Sequence, residues 1–94
     1  MNKYEAMLIV RADLSEEDKK SLCASIAEAI TKNGGEVNEA GVWIERKKLA
    51  FMIKRYPEGT YYLVNFNAPA QAITKIRYAY RLNEYILRSL ITRP

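Results

Sequence analysis

The chain has 94 residues, 49% of them hydrophobic, with 15 Lys/Arg against 11 Asp/Glu, no histidine and one cysteine. That length fits one domain over residues 1–94, and the apolar content excludes a disordered chain. The missing histidine and the lone Cys23 exclude an internal disulfide, a multi-cysteine metal site and histidine acid–base chemistry.

Lys3 to Arg11 predicts a strand. Alternation puts Ala6, Leu8 and Val10 on one face and Glu5, Met7 and Ile9 on the other, both partly apolar, as in a central strand. Asp13-Leu14 is a connection. Ser15 is a good N-cap, followed by Glu16, Glu17 and Asp18, where the helix dipole favours acids. Ser15-x-x-Asp18 resembles a capping box with the shorter acid. Leu22, Ile26, Ala29 and Ile30 recur at helical spacing, and Asn33-Gly34-Gly35 ends the helix. Glu36 to Ile53 reads as a long strand interrupted at Ala40-Gly41, where the glycine suggests a bulge or bend. Tyr56-Pro57-Glu58-Gly59 has type I turn chemistry. Thr60 to Phe66 predicts a strand in which Tyr62, Val64 and Phe66 alternate against Tyr61, Leu63 and Asn65. Ala68-Pro69 opens a second helix with Ile73, Ile76 and Tyr80 on its apolar side. Tyr85 to Thr92 is the last strand. The order β-α-β-β-α-β, with two right-handed crossovers, gives an α+β, ferredoxin-like arrangement: a four-stranded antiparallel sheet with both helices on one face. The other face is left bare for a partner or for RNA.

No catalytic constellation emerges. Cys23 has no neighbouring base, and it reads as a small buried or half-buried side chain. Gly34-Gly35 ends a helix rather than starting one, so it cradles no phosphate. The acids at 16–18 suit a first helical turn and cannot all converge on a metal. The expectation is a protein that is not an enzyme and has no metal and no cofactor. No apolar run approaches the roughly 20 residues of a bilayer span. Leu8-Ile9-Val10 also runs straight into Arg11 and Asp13, unlike a signal peptide, so a cytoplasmic protein is expected.

Charge is unevenly spread. Residues 1–45 hold five Lys/Arg and nine Asp/Glu, a balance of −4, whereas residues 46–94 hold ten and two, a balance of +8. Arg46-Lys47-Lys48 and Lys54-Arg55 share one strand and hairpin. Arg77 and Arg81 lie one turn apart on the second helix with Lys75 nearby, and Arg88 and Arg93 belong to the last strand. Tyr61, Tyr62, Tyr78, Tyr80 and Tyr85 are interleaved. Phosphates ask for Lys and Arg, and bases stack on aromatic rings. Composition leaves RNA binding level with a solvated strand edge, whose lysines would discourage aggregation. A phosphate-handling enzyme of similar fold would need an anion cradle. Arg11-Ala12-Asp13-Leu14 offers an arginine but no glycine-rich loop. Self-association through the bare face is a third reading.

Several segments occur together, in order and with consistent spacing: Lys3-Tyr4-Glu5, Arg11-Ala-Asp-Leu-Ser-Glu-Glu, Asn33-Gly34-Gly35-Glu36-Val37, Lys47-Lys48-Leu49-Ala50-Phe51, Gly59-Thr60-Tyr61-Tyr62, Asn65-Phe66-Asn67-Ala68-Pro69, Arg81-Leu82-Asn83-Glu84 and Ile86-Leu87-Arg88. In these the chain resembles the family of the sixth protein of the bacterial small ribosomal subunit. It departs from that family's pattern at Glu45 (a glycine is usual), Phe51 (Tyr) and Met52 (Pro), and Glu45 sets a negative charge beside basic residues expected to face RNA. The resemblance implies a ribosome-associated structural protein. It would bind the central region of small-subunit ribosomal RNA as a heterodimer with small-subunit protein eighteen. Carried over by position, the RNA contacts are Lys3, Arg46, Lys47, Lys48, Arg55, Arg81 and Arg88, with Lys54 and Arg93 added. The partner-facing residues are Met7, Ile9, Tyr61 and Leu63, on the open sheet face.

Overall fold

A computed structural model describes residues 1–94. The elements run β1 (Asn2–Arg11), α1 (Glu16–Lys32), β2 (Glu36–Ile53), β3 (Tyr56–Ala68), a 3-10 turn (Ala70–Ala72), α2 (Ile73–Leu82) and β4 (Ile86–Thr92). The strands form one antiparallel sheet in the order β2-β3-β1-β4. This is the ferredoxin-like arrangement expected from the element order.

Period-two alternation builds the core. Tyr4, Ala6, Leu8 and Val10 of β1 and Val64, Phe66 and Ala68 of β3 meet Leu22, Ile26, Ala29 and Ile30 of α1 and Ile76 and Tyr80 of α2. Both helices therefore cover the same face. The more deeply buried of the core's two tyrosines is partnered, since the Tyr80 hydroxyl donates to the Ile26 carbonyl at 2.9 Å and links α2 to α1. Burial pushes the Tyr80 hydroxyl's pKa up, so it remains a donor. At the start of α1, Ser15 Oγ accepts from the Asp18 amide at 3.2 Å, half of the expected capping box. Gly34, at φ +86°, provides the left-handed residue that ends the helix.

Four expectations are corrected. The residues read as a turn, Tyr56 to Gly59, lie in β3, and the chain reverses one step earlier, at Lys54-Arg55 between the paired residues Ile53 and Tyr56. Both turn residues have positive φ, 49° and 71°, the sign of a type I′ turn. Gly59 is needed for a different reason than turning: a Cβ there would sit 2.5 Å from Ile9 Cγ2. Pro57 is tolerated because four residues of β2 (Leu49 to Met52) face it alone, so no ladder donor is missed.

The second correction concerns β2. Ala40 and Gly41 pair regularly with Val64 and Leu63, and besides the gap opposite Pro57 three irregularities fall between Val37 and Glu39, between Val42 and Ile44, and between Ile44 and Lys47. Each adds an unpaired residue to β2 and increases its twist. Third, Cys23 is exposed rather than buried. The second helix also begins later than read: Pro69 precedes the 3-10 turn and α2 starts at Ile73.

Candidate nucleic-acid and partner interface

Two surfaces stand outside the core, and the strand register builds both. β1 ends at Arg11, paired with Gly59, so the part of the β2–β3 hairpin beyond Gly59 has no third strand beside it. It is a two-stranded arm that carries Lys47, Lys48, Lys54 and Arg55. The three non-glycine residues with positive φ, Arg46, Lys54 and Arg55, all lie in the arm or at its root. Its side chains are largely solvated, with Phe51 85% and Met52 66% exposed. A cation–ring contact ties the arm to the body: the Arg11 guanidinium lies 4.9 Å from the Tyr56 ring and 5.7 Å from the Tyr85 ring. Arg11 is held in place by two hydrogen bonds that it donates to the Asp13 carboxylate, both at 3.1 Å.

The twisted arm carries its tip past the end of β1 to the α2–β4 side. There Lys54 joins Arg77 and Arg81 of α2 and Arg88 of β4 around a cavity of about 270 Å³ walled by Ile86 and Leu87. No acid lines it, and none of the four cations is in an ion pair. At the root of the arm, on the α1 side, charge is balanced instead. Arg46 pairs with Glu58 at 3.2 Å, Lys48 faces Glu58 across the ladder, and Lys19 reaches both Glu16 (3.5 Å) and Glu45 (3.7 Å). Glu45, expected to set its charge beside the basic strand, is thus turned to α1. The contrast between acidic and basic halves survives folding on the α2–β4 side and is neutralised at the root.

The second surface is the helix-free sheet face. The register aligns Leu90, Met7, Leu63 and Gly41 in one cross-strand row and Arg88, Ile9, Tyr61 and Ile44 in the next. The four residues expected to face a protein partner are thus two direct cross-strand pairs, Met7–Leu63 and Ile9–Tyr61, of which Ile9 is already buried and the other three are half-buried. Trp43 extends the patch, edge-on to Tyr61 at 6.1 Å and more than half exposed, and Leu90 is 53% exposed. Lys47 Nζ sits 5.6 Å from the Tyr61 ring, where the apolar patch meets the arm. Gly41 has nothing within 4 Å of where a Cβ would be, and a groove of about 210 Å³ opens over it beside Trp43.

The sequence-derived cations therefore divide. Arg46, Lys47, Lys48, Lys54, Arg55, Arg81 and Arg88 lie on or about the arm and the cleft at its tip. Lys3, opposite Asn67, and Arg93, 6.0 Å from the Tyr4 ring, lie at the other end of the sheet. Arg77 is absent from the RNA contacts expected by position, and its spacing one turn before Arg81 is the signal that could have placed it there. Trp43 and Leu90 join the sheet face without having been expected on it. No cluster of three or more His, Cys, Asp or Glu side chains could hold a metal, and no helix is long and apolar enough to cross a membrane.

The family model described as ribosomal protein S6 matches residues 3–93. The small ribosomal subunit protein bS6 of Thermoanaerobacter pseudethanolicus is 40% identical over 93 residues, covering 99% of this chain and 97% of that protein. The bS6 protein of Symbiobacterium thermophilum is 37% identical over 94 residues, covering 100% and 98%. The crystal structure of 30S ribosomal protein S6 from Thermotoga maritima superposes with a TM-score of 0.87 at 24% identity, covering 99% of this chain and 87% of that one, and it carries the same fold. With its full length matched in sequence, the chain belongs to the ribosomal protein S6 family, structural and non-enzymatic constituents of the small ribosomal subunit.

Proposed function

We propose that the chain binds the central region of small-subunit ribosomal RNA with its arm end and holds small-subunit protein eighteen on its open sheet face. As a small-subunit protein it works on the ribosome, in the bacterial cytoplasm. The observation that carries the RNA reading is the unpaired cluster of Lys54, Arg77, Arg81 and Arg88. Phosphate is the ligand such a cluster suits: the cations give affinity and position, and specificity comes from the shape of the RNA they fit. The proposal leaves Lys3 and Arg93 outside the RNA surface.

The apolar rows support the protein half of the reading. Contiguous apolar surface on a small domain marks an interaction site, and Tyr and Trp beside a groove are the residue types that anchor such sites. One domain with a few phosphate contacts has limited specific surface, so a partner that extends it raises RNA affinity. Gel shifts of a central-region RNA fragment, with and without protein eighteen, test this: the mixture should bind much more tightly than the chain alone. Equal affinity would remove the heterodimer from the account. Trp43, the chain's one tryptophan, gives a second readout. Fluorine-labelled at that ring, the chain should change its signal when protein eighteen is added and hold it when RNA alone is added.

A further inference from the structure

The cleft at the arm's tip is built from two parts of unequal rigidity. Arg77, Arg81 and Arg88 stand on α2 and β4, which pack on the core. Lys54 comes from a hairpin that has no third strand beside it and turns through two non-glycine residues of positive φ. A two-stranded hairpin alone is marginally stable in water. Lys54, Arg77, Arg81 and Arg88 line the cleft and no acid does, and Arg77 and Arg81 at i and i+4 already repel along the helix. Without an anion, repulsion among these cations weakens the hold of Lys54 on the cleft it lines, while the Arg11–Tyr56 contact keeps the arm's root tethered. With an anion, the same four charges become four attractions to one group, and Lys54 is drawn in.

We propose that the cleft takes a stretch of RNA phosphodiester backbone between Lys54 on one side and Arg77, Arg81 and Arg88 on the other, and that occupancy locks the otherwise swinging arm onto the body. This rests on the RNA reading above and adds a moving part to it. The arm is a clamp, closed by the ligand's charge rather than by its own packing. Lys54 closes it, and the three arginines form the fixed jaw. Met52 and Phe51, close to the turn, travel with it.

Amide hydrogen exchange on the complex with protein eighteen, with and without a central-region RNA fragment, tests the clamp. RNA should slow exchange across residues 50–56 by tenfold or more. In Lys54→Ala the RNA should still bind, several-fold more weakly, with the arm exchanging as in the RNA-free state. Arg81→Gln should show the same loss of protection from the opposite jaw. If RNA binds and arm exchange is unchanged, or if the arm is protected equally in wild type and Lys54→Ala, the clamp is wrong and the RNA reading stands. If RNA fails to bind the wild-type complex at all, the RNA reading falls and the clamp falls with it.

Discussion

The body and the arm of this protein are made from one continuous pair of strands and obey opposite rules. In the body, β3 lies between two strands under two helices, and Val64, Phe66 and Ala68 are fully buried. A few residues earlier the same strand has one neighbour and no helix, and its hairpin partner exposes Phe51 and Met52. Backbone geometry follows the same division: apart from Gly34, every positive φ belongs to the hairpin. The body's charges are few at its core, whereas the arm's end gathers cations without acids. One part is stable because apolar area is removed from water. The other is tied to the body by a cation–ring contact and a few half-buried side chains, and its cationic end is available to something that supplies negative charge.

The largest contrast should be in stability. Phe66→Ala, in the fully buried β3, should cost about 3–5 kcal/mol of unfolding free energy in denaturant titrations. Phe51→Ser, on the arm, should stay within about 0.5 kcal/mol of wild type. A large cost at Phe51 would mean that the arm belongs to the core after all.

A smaller effect should separate stability from function at the turn. Two non-glycine residues in the left-handed region cost about 1–2 kcal/mol each. Replacing Lys54-Arg55 with Asn-Gly, the preferred type I′ pair, should raise stability by about 1 kcal/mol. The same change removes two cations and should weaken RNA binding. If stability and affinity rise together, the turn's strain is not linked to its charge. Tyr80→Phe should cost about 1 kcal/mol, by removing the buried bond to the Ile26 carbonyl.

The smallest effect is expected from pH. The hydrogen bond from Arg11 holds the Asp13 carboxyl below its ordinary range. Because the folded pKa is depressed, this stabilisation is fully present above the unfolded value, about 3.9. It is lost as pH falls through the folded one. Wild type should therefore show a slight extra fall in Tm below about pH 4 that Asp13→Asn lacks. The arm should loosen over the same range, since Asp13 steadies the arginine that stacks on Tyr56.

Much of the body was legible because its signals are local and periodic. The spacing of Leu22, Ile26, Ala29 and Ile30 specified the buried side of α1, and alternation grouped Met7 with Ile9 and Tyr61 with Leu63, which the register then set side by side on one face. The arm was not legible for the converse reason. Pro57 and Gly59 carry turn chemistry, yet Gly59 answers to the crowding of Ile9 across the sheet, and the true turn uses a lysine and an arginine that no propensity favours there. The bulges of β2 are set by pairing with β3, and Gly41, the residue that suggested one, sits in regular register. The cleft was half visible. Arg81 and Arg88 followed from the family resemblance and Arg77 from helical spacing, but their meeting with Lys54 depends on a twist that accumulates along the whole hairpin.

The most direct test of the central claim, that RNA lies at the arm end, is the salt dependence of RNA binding by the complex with protein eighteen. On a log–log plot, Arg81→Ala with Arg88→Ala should make the slope shallower by up to about one for each phosphate the protein no longer neutralises. Lys3→Ala with Arg93→Ala, at the far end of the sheet, should leave it within error of wild type. Equal changes from the two pairs would mean that the RNA is held by diffuse attraction to the whole molecule, and would contradict the account.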